Sequence, residues 1–401
     1  MAIPQRDLAE LLLPDDLLHR FRERAATHDR DNTFFEHTLA DLRARGYLKL
    51  LVPTDLGGLG GSLGDAALLQ RRLAGADPAA ALGVNMHLIV TGAAGMAVER
   101  GLGAARRVLE LAAAGELFAF GISEAGNDLM LFDAVSTALP DGAGGYAVTG
   151  TKIFTSMAHA WTRLVVHAKV AGEDGDARLV FGILERTPEV EVVADWDAHG
   201  MRATDSCTTR LRGAPLRAEN VLATTVVGPD QDPLRFGIFG CFEVLIASVY
   251  CGLGERAVAV ATAGASARRS ITKGITAADD PHVRWRLASA AIAMDGAALQ
   301  VEKLAHDLDA LVAHEPVPGA TDHGRRWYLQ LSGLKSRVSE AAIHAVDECV
   351  RAGGGRHYYL GSELERLSRD VRAAIYQPSS EESVRSSYAR AMLGEIGADR
   401  G

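Results

Sequence analysis

Apolar residues recur at three-to-four-residue spacing through DLLHRFRERAATHDRDNTFFEHTLADLRARGYLKLLVP, and the pattern stops at Pro53. A glycine-rich turn follows, GGLGGSLG at 57–64. Three more helices are predicted beyond it, in DAALLQRRLAGAD, AAALGVNMHLIVTGAAGMAVERGL and AARRVLELAAAGE. Near Leu117 the period changes. YAVTGTKIFTSMA, TRLVVHAKVA, ARLVFGILE, EVEVVADWD and SCTTRLRGAPL are short, roughly alternating and rich in β-branched residues. Turns such as PDGAGG separate them. From about Pro229 the helical period returns, predicting helices near 235–268, 281–312, 323–352 and 380–394. The fold class expected is multidomain α+β. Residues 1–116 form a helical domain, 117–228 a central antiparallel β-barrel, and 229–401 a four-helix bundle. Helices before strands before helices exclude a doubly wound nucleotide fold.

Phe236–Gly254, FGIFGCFEVLIASVYCGLG, is nearly long enough to span a bilayer. Charged amphipathic helices follow it and nothing else resembles a span, so it reads as a buried core helix and no membrane partner is expected. Its one charge is Glu243. A carboxyl in such a helix is paired, protonated or functional, and burial moves it toward the range useful for a general base.

Composition narrows the classes. The 401 residues carry 42 Lys and Arg against 51 Asp and Glu, a net charge of −9, which argues against a nucleic-acid partner. Cys207, Cys241, Cys251 and Cys349 have no C-x-x-C spacing, which suits a reducing cytoplasm and no metal site. The first twenty residues lack the basic-then-apolar pattern of a signal peptide. GGLGGSLG has Leu63 where a dinucleotide loop needs glycine, and Gly150-Thr151-Lys152 reverses the phosphate-loop order, so both read as structure. His87 reads as a hydrogen-bonded core histidine.

Four segments together resemble the acyl-CoA dehydrogenase superfamily. GYLKLLVPTDLGGLGGS is similar to its N-terminal "G-l-x-x-l-x-v-P-x-x-x-G-G-x-G". FAFGISEAGND with GGYAVTGTKIFTS is similar to "T-E-P-x-x-G-S-D … G-Y-x-l-x-G-x-K-x-[WF]-[IV]-[TS]". HGMRATDSCTTRLRGAPLRAENVL is similar to "G-M-R-x-[ST]-x-[ST] … V-P-x-x-N-v-l". RAGGGRHYYLGSELERLSRDVRAAIYQPSSEESVRSSYARAMLG is similar to the C-terminal "G-G-x-G … E-x-x-x-R-D … I-Y-E-G-T-x-E-I … A-R-x-x-L-G".

The resemblance implies FAD between barrel and bundle, or FMN in a two-component monooxygenase. It implies that Phe120, Ile122 and Ser123 meet the flavin, with Phe154 and Ser156 beside its ring. It implies that Arg268 reaches a neighbouring subunit's FAD pyrophosphate, so a homodimer or homotetramer is expected. Gly354 and Gly355 match close-approach glycines, and Ser379 and Glu381 match positions near flavin and adenosine.

The family's catalytic glutamate lies in "I-Y-E-G-T", where this chain has Ile375-Tyr376-Gln377-Pro378-Ser379. A glutamine cannot take a proton, so Gln377 and Glu243 are the candidate catalytic positions. Relatives that place the base on the buried helix align it with Phe242, one residue before Glu243. The leading expectation is dehydrogenation of an acyl thioester, on CoA or a carrier protein, with an electron-transfer flavoprotein as partner. The alternatives are a monooxygenase fed by a flavin reductase and a base-less subunit of a hetero-oligomer. Gln377 favours the monooxygenase, and the dehydrogenase-like tail around Ser379-Ser380-Glu381-Glu382 favours the first reading.

Overall fold

The computed structural model describes residues 5–172 and 176–394. The extreme ends of the first and last expected domains therefore lie outside the described residues. Helices α1 (Gln5–Leu12), α2 (Asp15–Asp31), α3 (Glu36–Ala44), α4 (Leu63–Ala74), α5 (Pro78–Glu99) and α6 (Arg106–Ala113) come first. Eight strands follow: β1 (Phe118–Gly121), β2 (Thr137–Pro140), β3 (Tyr146–Thr155), β4 (Arg163–Ala171), β5 (Ala177–Glu185), β6 (Val190–Val193), β7 (Cys207–Leu216) and β8 (Val221–Val226). The chain closes with α7 (Pro233–Ala267), α8 (Pro281–Val312), α9 (Trp327–Gly353), α10 (Glu363–Asp370), α11 (Ala373–Tyr376) and α12 (Glu381–Leu393).

Helix starts follow local chemistry. Three long helices, α5, α7 and α8, begin with the same pair, Asp at the N-cap and Pro in the first turn. The aspartate accepts a backbone N–H that would otherwise be orphaned, and proline has no N–H to lose there. In α4 the box is reciprocal: Ser62 Oγ accepts from Asp65 N at 3.0 Å while Ser62 N donates to Asp65 Oδ2 at 2.9 Å. The preceding glycine run is a turn, since a Cβ on Gly58 would lie 2.1 Å from the Val52 carbonyl oxygen.

α7 is the hub, packed against α4, α5, α8 and α9. Its glycines admit those neighbours: a Cβ at Gly252 would lie 2.0 Å from the Arg71 carbonyl oxygen of α4, and one at Gly237 2.9 Å from that of Ala93 in α5. α5 matches α7 in being long and apolar enough to cross a membrane, a second such helix that the sequence reading passed over. Both are mostly buried within the fold, as core helices of this kind are.

The strands join in the order β6-β7-β3-β2-β4-β5-β8. The sheet is mixed rather than wholly antiparallel. β1 runs parallel to β4, pairing Phe118 with Arg163 through Gly121 with Val166, and Thr137 of β2 pairs in parallel with Lys169. β1 and β2 share one edge of β4, so each reaches it by a connection rather than a hairpin. Alternation sorts the faces: Val165, Leu179, Phe181 and Ile183 join the helical core, while Leu164, Val166, Val180 and Leu184 build a separate core with Trp161.

Candidate functional site

β1 and β3 bring five of the expected flavin contacts together. Ser123 follows β1 and its carbonyl accepts from Ile153 N at 2.9 Å, so the exit of β1 lies against β3. Phe120 and Ile122 are buried. Beyond Lys152 the β3–β7 register shifts, and Phe154 sits at φ +57 with its ring 55% exposed. A left-handed phenylalanine is sterically costly, and the bulge re-aims its side chain outward, edge-on to Trp196 at 6.2 Å. Met157, three residues on, shares the left-handed conformation, as do Met201 and Asp205 in the segment to which Met157 and Ala158 are hydrogen-bonded.

Ser156 starts a hydroxyl chain. Its Oγ is 2.8 Å from Ser206 Oγ, which is 2.8 Å from Thr204 Oγ1. Thr204 donates to the Met201 carbonyl at 2.8 Å. One proton per hydroxyl then runs the chain from Ser156 toward Met201, leaving Ser156 Oγ free to accept a further hydrogen bond.

A second cluster joins both candidate catalytic positions. Phe242 of α7 faces Phe120, with ring centroids 6.4 Å apart. Glu243 is turned ~100° from it, and Ser379 Oγ donates to its Oε1 at 2.5 Å. Its Oε2 has no hydrogen-bond partner, although the side chain is buried. Burial pushes the carboxyl up to about 7 against the opposing pull of the Ser379 hydroxyl and the Lys335 charge. Gln377 Oε1 accepts from Tyr250 OH at 2.9 Å. Lys335 ties down the segment: its Nζ donates to the carbonyls of Ala374 and Gln377, each at 2.7 Å, and of Ser379 at 3.1 Å. Burial lowers this lysine to about 8, with Glu243 pulling the other way.

Arg268 and Gly354 meet elsewhere, where α7 and α9 end. Arg268 donates to the carbonyls of Gly353 at 2.6 Å and Ala352 at 2.9 Å, which suits a cation at a helix C-terminus. Gly354 has φ +77, and a Cβ on it would lie 2.8 Å from Arg268 Nη1. Gly355 has open space around it. A groove of about 300 Å³ beside Arg268 is lined by Arg269, Ser270, Lys273, Thr276 and Asp280. Glu381 stands apart, exposed in the first turn of α12 and paired with Arg385.

Sequence reasoning missed Lys335, Tyr250, Ser206 and Thr204. Lys335 gives a weaker signal than Glu243, since Arg337 is charged as well two residues on, but Lys335 is the one of the two that falls on the buried face with Leu331, Leu334 and Val338. His87 is a core histidine: Phe118 N donates to its Nδ1 at 3.1 Å, Nε2 meets the Leu48 carbonyl at 2.7 Å, and burial lowers it to about 4.

Comparison with known proteins places the chain among flavoenzymes. The acyl-CoA dehydrogenase N-terminal domain family matches residues 17–100 and its C-terminal domain family 244–379. Amino sugar nitrososynthase RubN8 of Streptomyces rubradiris is 32% identical over 91% of this chain and 85% of its own. Dibenzothiophene monooxygenase of Rhodococcus qingshengii is 27% identical over 91% of this chain and 88% of its own. The structure of KijD3 in complex with FMN and dTDP-3-amino-2,3,6-trideoxy-4-keto-3-methyl-D-glucose superposes with a TM-score of 0.86 at 30% identity, covering 100% of this chain and 96% of that one.

Proposed function

The chain belongs to the acyl-CoA dehydrogenase superfamily, and from that premise we propose that it is a flavin-dependent monooxygenase acting on the amino group of a nucleotide-linked amino sugar. The observation that carries the reading is the position of the missing base. Gln377 stands there, its amide oxygen engaged by Tyr250, and the neighbouring carboxyl of Glu243 is bonded to Ser379. Removing an α-proton needs a carboxylate at the flavin, whereas oxygen transfer to an amine does not. Three relatives of 29–32% identity over about nine-tenths of this chain, all amino sugar or evernosamine nitrososynthases, support the substrate class.

The residues present fit a flavin. Phe154 offers an outward aromatic face, Phe120 and Ile122 an apolar wall, and Ser156 a hydrogen-bond acceptor at one edge. Arg268, apart from this cluster, offers charge for the phosphate of a neighbouring subunit's flavin, as the family resemblance implies. Bound reduced flavin, renewed by a separate reductase, would supply the two electrons with which O2 gives one atom to the amine and the other to water. The protein's part is to exclude water, fix the ring and present the amine unprotonated.

The test supplies FMN, a flavin reductase, NADH, O2 and the dTDP-3-amino sugar of the KijD3 complex. The expected product carries oxygen on nitrogen. An acyl-CoA that bleaches the bound flavin under anaerobic conditions would return the leading sequence expectation, dehydrogenation, to first place.

A further inference from the structure

Two segments meet beside the flavin contacts and carry a histidine–carboxylate pair that the reading so far leaves without a task. His159 lies three residues after Ser156, and Asp205 one residue before Ser206. The turn that bears His159 is fixed without help from the imidazole. Met157 N donates to the Thr204 carbonyl at 2.9 Å and Ala158 N to that of Asp205 at 3.0 Å. Arg186 lies over the Trp161 ring at 3.9 Å and donates to the Trp161 carbonyl at 2.7 Å and to that of Ala158.

Onto this frame Asp205, itself at φ +51, adds two contacts through one oxygen. His159 N donates to its Oδ2 at 2.8 Å, and His159 Nδ1 lies 2.6 Å from the same atom. The carboxylate accepts, so Nδ1 carries the hydrogen, and in the neutral imidazole that leaves the lone pair on Nε2. Nε2 meets no hydrogen-bond partner among the described residues, and the side chain is 61% exposed against 11% for Asp205. Such a carboxylate-oriented imidazole with its far nitrogen open is the arrangement a general base requires. Aspartate tolerates the left-handed conformation, which here aims its carboxylate at that ring.

We propose that His159 takes the proton from the substrate's ammonium group, with Asp205 as its positioning residue. The inference rests on the amine-oxygenating reading above. In the step, an N–H bond of the R–NH3+ group breaks and an Nε2–H bond forms. The nitrogen keeps the electron pair it then offers to oxygen, and the imidazolium returns its proton to water. Asp205 stabilises the imidazolium through the Nδ1 hydrogen bond. The other groups facing the pair are the Arg186 guanidinium, which interacts with Asp205, and the Cys207 thiol, which donates to Asp205 Oδ1 at 3.3 Å.

The experiment compares the parent, His159→Gln and Asp205→Asn, using FMN, a flavin reductase and dTDP-3-amino-2,3,6-trideoxy-4-keto-3-methyl-D-glucose. kcat/KM across pH, FMN affinity by fluorescence quenching, and thermal melting are measured together. His159→Gln should lower kcat/KM about 100-fold, the lower range for loss of a general base. It should erase the acidic limb of the pH profile, recover partly with added imidazole, and bind FMN as the parent does. Asp205→Asn should retain the limb but displace it. A parent that oxidises no amine overturns the reading and this inference together. An active parent matched by His159→Gln in rate and pH profile overturns the inference alone. So does a variant that loses FMN affinity and melting temperature in step with activity and gains nothing from imidazole.

Discussion

Replacing Glu243 by glutamine separates a buried structural carboxyl from a catalytic base. The folded carboxyl titrates near 7 rather than 4.5, because burial disfavours its charge. Below 4.5 both folded and unfolded chains hold the proton, and no penalty exists. Between 4.5 and 7 the unfolded chain has lost it while the folded one keeps it, so stability falls as pH rises. At ~1.4 kcal/mol per unit, the shift amounts to roughly 3 kcal/mol lost above pH 7. Glu243→Gln removes that loss and keeps an oxygen for the Ser379 hydroxyl. The bond it keeps is neutral rather than charge-assisted, which costs about 1 kcal/mol. A net gain of about 2 kcal/mol at pH 8 remains. With an unfolding entropy of ~2.1 cal/mol/K per residue, 401 residues convert this to a rise of about 2–3 °C. The variant should melt higher than the parent at pH 8, show a flatter stability profile between pH 5 and 8, and keep its oxygenase turnover. The reasoning fails if Glu243→Gln is less stable at pH 8, or if it keeps its fold and loses flavin-dependent turnover.

Other outcomes follow from the same geometry. Lys335→Met removes the cation that holds three carbonyls of the 374–379 segment and should cost about 3–5 kcal/mol, read from the urea midpoint. Gln377→Glu should create no dehydrogenation, and an acyl-CoA should leave its flavin oxidised in an anaerobic spectrum. Gly252→Ala forces a methyl to within 2.0 Å of the Arg71 carbonyl and should destabilise by roughly 1–3 kcal/mol in thermal melts. Exposed Trp285, Ile292 and Leu299 form an apolar stripe along α8, and we expect sedimentation to give a dimer or tetramer rather than a monomer.

The architecture was legible because period carries it. The four C-terminal helices expected from spacing lie within a few residues of α7, α8, α9 and α12. The short α10 and α11 were not anticipated, since four to eight residues give too few turns for a periodic signal. The parallel pairing of β1 with β4 was also hidden, because alternation reports which face a residue takes and not which neighbour it pairs with. At the site, Phe154 and Ser156 were found by resemblance, but the left-handed bulge that turns Phe154 outward has no signature in K-I-F-T. The one-residue offset between Phe242 and Glu243 was visible. Only packing shows that the phenylalanine takes the side facing β1 and the carboxyl the side facing Ser379. His159 and Asp205 are 46 residues apart, and two backbone bonds between their segments, not any motif, bring them together.

The most direct test of an oxygenase without a dehydrogenase's base is isotopic. The protein, reduced FMN and the dTDP-3-amino sugar are mixed under 18O2, and the product is read by mass spectrometry against a parallel anaerobic mixture with acyl-CoA thioesters of varied chain length. The account predicts 18O on the sugar nitrogen and no flavin bleaching by any thioester. Flavin bleaching by a thioester, with no label entering the amine, would contradict it.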